Sequence, residues 1–166
     1  MTLKTSCRSK LMAGKTCLVT GATNGIGQVS ALEFAHMGAK VVIAGRDLAR
    51  CALTAADIQE ESGNPNVDFL VADLSSQVEV RRLAKEFKER HHRLDVLVNN
   101  AGAIHMSRMK SADGIEMTFA LNHLAYFMLT NLLLDRLKSS APARIVNVSS
   151  NSHERAKLDF DDLQTR

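Results

Sequence analysis

The nine residues Val19-Thr20-Gly21-Ala22-Thr23-Asn24-Gly25-Ile26-Gly27 have the types and spacing to grip an anion. Three glycines permit a sharp strand-to-helix reversal, bring the backbone close to a pyrophosphate and let the next helix pack tightly on a sheet. A helix beginning near Gly25 aims its unpaired first N–H groups at that anion. The spacing is G-x-x-x-G-x-G rather than the commoner G-x-G-x-x-G, so the flanking residues carry the assignment. A β-rich run, Thr16 to Thr20, precedes it, and Ile26, Val29, Ala31, Leu32 and Ala35 follow as a helical apolar face. In that setting a dinucleotide is expected, held by Gly21, Thr23, Asn24, Gly25, Ile26 and Gly27.

Further polar positions stand at the ends of the other β-rich runs. In Ala44-Gly45-Arg46-Asp47, Arg46 occupies the neighbourhood where an acidic residue would hold a ribose 2′-hydroxyl. A guanidinium there suits bidentate pairing with a 2′-phosphate, which favours NADP over NAD. The alternative is a solvated Arg46 with Asp47 as a helix N-cap. Asp73, in Ala72-Asp73-Leu74-Ser75, can accept from an adenine amino group or help cap the next helix. Asn99-Asn100-Ala101-Gly102 leaves room for a flat ring, and its amides can tie strand ends together. Asn122 and His123 interrupt an apolar stretch, and a buried amide needs partners. Arg144-Ile145-Val146-Asn147-Val148 delivers Ser149 and Ser150, and a hydroxyl there can orient a carbonyl substrate.

The elements that must position these groups read as strands near Thr16 to Thr20, Lys40 to Ala44, Val67 to Val71, Leu94 to Val98 and Arg144 to Val148. Helical patterns lie between them near Gly25 to Met37, Asp47 to Glu61, Gln77 to His91 and Asp113 to Lys138. Such alternation predicts an α/β fold, a Rossmann-type doubly wound parallel sheet in the order 3-2-1-4-5. Ligands then bind where the winding reverses, beside the first and fourth strands, and the polar motifs fall on that rim.

With 166 residues, 45% hydrophobic and 23% charged, the chain suits one globular domain, residues 15–166, behind a loose N-terminal arm, residues 1–14. The formal charge of +3, with acids and bases interspersed, argues against a nucleic-acid surface. The arm carries Lys4, Arg8 and Lys10 but no apolar core of a signal peptide. Cys7, Cys17 and Cys51 lack metal-ligand spacing, so no metal site and reduced thiols in a cytoplasmic protein are expected. The stretch Phe119 to Leu134 is too short and too interrupted for a membrane span and reads as a buried helix.

Taken together, Thr20-Gly21-x-x-x-Gly25-x-Gly27, Asp73-Leu74, Asn99-Asn100-Ala101-Gly102, Asn122 and Ile145-Val146-Asn147-Val148-Ser149-Ser150 resemble the short-chain dehydrogenase/reductase family. Ala112-Asp113-Gly114-x-Glu116-Met117, Asn122-His123-Leu124 and Ser-Ala-Pro-Ala-Arg before the fifth strand look like its retinol dehydrogenase branch. The resemblance implies an NADP-dependent oxidoreductase that interconverts a small apolar alcohol and a carbonyl. It implies that Ser150 positions the substrate oxygen, that Asn122 helps hold a proton-relay water, and that Asp73, Leu74, Asn100, Ala101 and Gly102 border the cofactor. A Tyr-x-x-x-Lys pair completes the family's site, but the one tyrosine here, Tyr126, is followed four positions on by Thr130. The expectation is a chain cut short at its C-terminal side, before that pair and a sixth strand. It would be weakly active or inactive, with a bare fifth-strand edge and possible self-association through the Phe119 to Leu134 helix. The alternative is a non-catalytic dinucleotide-binding or regulatory module.

Overall fold

A computed structural model describes residues 11–155 and 157–164. Most of the expected N-terminal arm, and Cys7 with it, lies outside the described residues. The chain runs β1 (Thr16–Thr20), α1 (Gly25–His36), β2 (Lys40–Gly45), α2 (Leu48–Ser62), β3 (Val67–Val71), α3 (Gln77–Arg90) and β4 (Val96–Asn99). It continues through α4 (Met117–Phe119), a π-helical turn (Ala120–Leu124), α5 (Ala125–Leu132), α6 (Leu134–Ser139), β5 (Arg144–Asn147) and a 3-10 turn (Asn151–Arg155).

All five strands pair in parallel in the order β3-β2-β1-β4-β5. β1 is buried throughout because helices cover both faces of the sheet, which is why it reads as an apolar run rather than an alternating one. Successive side chains still point to opposite faces. Leu18, Val42 and Leu70 join Leu83, Phe87, Leu129 and Leu133 in one core layer, whereas Cys17, Val19, Val41 and Ile43 join Ala31, Ala35 and Ile58 in the other. Burial and the nearby Asp95 carboxylate push the Cys17 thiol up to about 12, so it is an inert core group.

Two expected helix features are corrected. Ile26 and Val29 do not face the core; they are exposed, and α1 meets the sheet through Gly27, Ala31 and Ala35. Small residues let the helix backbone approach the strands, which leaves no space for a larger apolar row. The helix expected from Asp113 starts only at Met117, because the Glu116 carboxylate caps it, accepting from the Thr118 and Phe119 N–H groups. It is then interrupted by the π turn and again at Leu133.

The fourth strand begins at Val96 rather than Leu94. Asp95, 3% exposed, accepts from the Thr16 backbone N–H at 2.8 Å and from Arg93, and it pairs with Lys15 at 3.1 Å. Burial alone would raise its carboxyl, but the hydrogen bonds from Arg93, Thr16 and Lys15 override that and hold it at about 2. This depressed value stabilises the fold fully above the unfolded carboxyl's value near 4, and the contribution is lost as pH falls toward 2. Asp95→Asn is therefore expected to cost about 2 kcal/mol at neutral pH and to flatten the acid limb of a urea-denaturation series. An unchanged acid limb would refute the assignment.

Candidate cofactor and substrate site

The turn after β1, the loop after β2 and the ends of β3 and β4 enclose a crevice of about 550 Å³ at the point where strand winding reverses. Every residue expected to touch a dinucleotide lines it except Gly27: Gly21, Thr23, Asn24, Gly25, Ile26, Arg46, Asp73, Leu74, Asn100, Ala101 and Gly102. Gly27 sits just beneath, where a Cβ would overlap the Asn100 amide nitrogen and come 2.5 Å from the Gly21 carbonyl oxygen. Its role is to let α1 approach the end of β4, one layer behind the crevice wall.

Gly21 adopts φ +63°, and a Cβ there would lie 2.6 Å from the Ala101 Cα, so the first and fourth strand ends touch backbone to backbone. Gly25 adopts φ +54° with open space where a Cβ would stand. Asn24 is the extended N-cap of α1 and its side chain caps nothing. The first N–H of this region with a helical acceptor is that of Gln28, which donates to the Asn24 carbonyl. The N–H groups of Gly25, Ile26 and Gly27 have no acceptor among the described residues, and the first turn holds no acidic side chain. These open donors fit a pyrophosphate.

Both readings of the Arg46-Asp47 pair hold in part. Asp47 is the N-cap of α2, accepting from the Arg50 N–H at 2.9 Å, while Arg46 lines the crevice with no ion pair among the described residues. Arg50, one helical turn further on, lines the same crevice. Nothing in the sequence motif pointed to it; the i, i+4 spacing from Arg46 was the available signal. Asp73 does not cap α3, whose N-cap is Ser76; its Oδ1 accepts from the Ser75 N–H and hydroxyl, and Oδ2 has no partner among the described residues.

The paired amides do tie strand ends together. Asn100 Nδ2 donates to the Thr20 carbonyl at 2.8 Å and to that of Gly21 at 3.2 Å. Asn99 Nδ2 donates to Thr130 Oγ1 and to Asn147 Oδ1, linking β4 to α5 and β5. Thr20 is a hub that sequence reading missed: its Oγ1 accepts from the N–H groups of Asn100 and Ala101 and donates to the Val98 carbonyl.

Ser150 lies not in this crevice but in an adjoining cavity of about 410 Å³ that shares Asn100, Gly102, Ala103 and Val148 with it. Asn122, on the π turn, lines the same cavity, so the two expected catalytic residues are brought together. The Asn122 amide accepts from the Ala103 N–H at 3.0 Å and donates to the Ala103 carbonyl at 2.9 Å, pinning the loop after β4. Such single π turns recur at functional sites. Tyr126 lines the cavity too, but burial raises its phenol above the ordinary value, the opposite of what proton transfer at neutral pH requires. Among the described residues no three metal-ligating side chains cluster. No described helix is long and apolar enough to cross a membrane.

A five-stranded parallel sheet with a glycine turn of open N–H donors at its switch point defines a Rossmann-type dinucleotide-binding fold. Residues 15–158 match the family model described as short chain dehydrogenase. The chain is 46% identical over 164 residues to retinol dehydrogenase 13 of Homo sapiens, covering 97% of this chain and 50% of that protein. It is also 46% identical over 153 residues to human retinol dehydrogenase 11, covering 92% and 48%. Among solved structures, the Pseudomonas aeruginosa RhlG/NADP active-site complex superposes with a TM-score of 0.77 at 36% identity, over 95% of this chain and 62% of that one. The bulky-bulky ketone specific alcohol dehydrogenase of Comamonas testosteroni gives 0.71 at 29% identity, over 82% and 55%. The chain belongs to the short chain dehydrogenase family, and it spans about half the length of the curated relatives it matches.

Proposed function

We propose that the crevice binds NADP(H) and that the protein serves hydride transfer between a small apolar alcohol and its carbonyl. The single observation that carries this reading is the run of open N–H donors at the start of α1, beside a crevice also lined by Arg46 and Arg50. The bound nicotinamide would supply the hydride chemistry; the chain's own residues bind and orient. The Gly21 to Gly27 turn holds the pyrophosphate, Asp73 faces the adenine end, and Arg46 pairs with the 2′-phosphate. Asn100, Ala101 and Gly102 border the ring, while Ser150 and Asn122 hold the reacting oxygen and its water in the adjoining cavity. A retinol dehydrogenase and an NADP complex among the similar proteins support the substrate class and the cofactor.

The sequence has one tyrosine and no Tyr-x-x-x-Lys, so this chain by itself is expected to bind cofactor and turn over slowly. Calorimetric titration should show NADPH binding more tightly than NADH. Arg46→Ala should weaken NADPH about tenfold, the worth of one solvent-exposed charge-assisted contact, and leave NADH unchanged. Equal affinity for both nucleotides in the unaltered chain would sink the phosphate assignment. Rapid turnover of medium-chain aldehydes would show that the missing pair is dispensable here.

A further inference from the structure

Three residues after Ser150, the 3-10 turn folds His153 back onto it. The His153 ring Nδ1 lies 2.6 Å from the Ser150 carbonyl oxygen, which also accepts the His153 backbone N–H at 3.3 Å. A carbonyl oxygen only accepts, so the nitrogen facing it must carry the proton. The neutral ring is thereby fixed with hydrogen on Nδ1, leaving Nε2 with a lone pair and no partner among the described residues. His153 lines the 410 Å³ cavity together with Ser150, Asn122 and Tyr126.

Asn122 and Ser150, the neighbours of His153 in that cavity, already hold partners. Each atom of the Asn122 amide makes one bond to Ala103 and keeps one hydrogen or lone pair open, and Ser150 Oγ accepts from the Ser152 N–H and meets the Ser152 hydroxyl. Ile104 and Val148 supply apolar wall. We infer that His153 is a substrate-contacting residue, its Nε2 accepting a hydrogen bond from the hydroxyl of an alcohol bound in this cavity. A neutral acceptor nitrogen recognises an O–H and has nothing to offer a carbonyl oxygen, so His153 distinguishes the alcohol from the ketone or aldehyde of the same shape. The inference rests on the alcohol/carbonyl reading of the adjoining cavity.

Imidazole nitrogen NMR on the full chain, at about pH 9, tests the tautomer first. The expected spectrum has hydrogen on Nδ1 and a pyridine-type Nε2; hydrogen on Nε2 would overturn the inference. Benzyl alcohol, added with and without NADPH, should then move the His153 Nε2 resonance upfield, whereas acetophenone should not. His153→Phe should weaken benzyl alcohol about fivefold, the worth of one neutral hydrogen bond, without changing acetophenone or NADPH binding. His153→Gln serves as a second variant that preserves a polar group. If benzyl alcohol perturbs the Ser150 and Asn122 amides but leaves Nε2 still, the role of His153 is refuted and the cavity stands. If it perturbs none of them while NADPH binds, the cavity reading fails together with the inference.

Discussion

Gly21→Val should abolish nucleotide binding and destabilise the fold by about 3 kcal/mol or more. Two independent costs add. A β-branched residue at φ +63° is strained by roughly 1–2 kcal/mol. Its Cβ would also stand 2.6 Å from the Ala101 Cα and 3.0 Å from the Ala101 nitrogen, backbone atoms that cannot rotate aside, an overpacking worth about 1–3 kcal/mol. Relief requires the end of β1 to move away from the end of β4, and that movement breaks the Thr20 and Asn100 hydrogen bonds that close the crevice floor. Gly25→Ala provides the contrast. Gly25 shares the left-handed backbone but its Cβ meets open space, so only about 1 kcal/mol of strain is expected. Urea denaturation of both variants, with NADPH calorimetry on whatever folds, separates close approach from conformational freedom. Equal losses at the two positions would show that the strand ends do not need to touch.

That contrast also marks what was legible in the sequence. The bounds of β1 follow directly from its run of β-forming residues, because a strand buried on both faces leaves no polar alternation to misread. The strand order and the glycine turn follow from the alternation of elements and from spacing. Local spacing fails where a role depends on residues distant in the chain. Val148 and Leu121 reach the crevice only once β5 and the π turn are in place. The outward turn of Ile26 and Val29 reflects how closely small residues draw α1 onto the sheet, which hydrophobic periodicity cannot register. Ser150 and Asn122 were expected together and are found together, but in a cavity beside the crevice, since the loop after β4 pinned by Asn122 stands between the two spaces.

Thr20 shows the same limit with a measurable consequence. As the last residue of β1 it reads as an ordinary β-branched strand residue. Yet its Oγ1, in a side chain 1% exposed, accepts from the N–H groups of Asn100 at 2.9 Å and Ala101 at 3.1 Å and donates to the Val98 carbonyl at 3.3 Å. Thr20→Val preserves shape and strand propensity and removes only that oxygen. Two backbone donors at the end of β4 then lose their acceptor in a part-buried site, at about 1–3 kcal/mol for a stranded group. The expected loss is about 3 kcal/mol for the pair, in thermal or urea unfolding, with protonated Asn100 and Ala101 amides exchanging faster with solvent. Thr20→Ser retains the oxygen and loses only the methyl, so it should recover most of the amide protection while remaining about 1 kcal/mol less stable than the parent. Because Asn100 and Ala101 also line the crevice, NADPH affinity should follow the same order, parent above Ser above Val. A Val variant as stable as the parent, with undisturbed Asn100 and Ala101 amides, would mean that the strand ends are held by the Asn100 side chain alone.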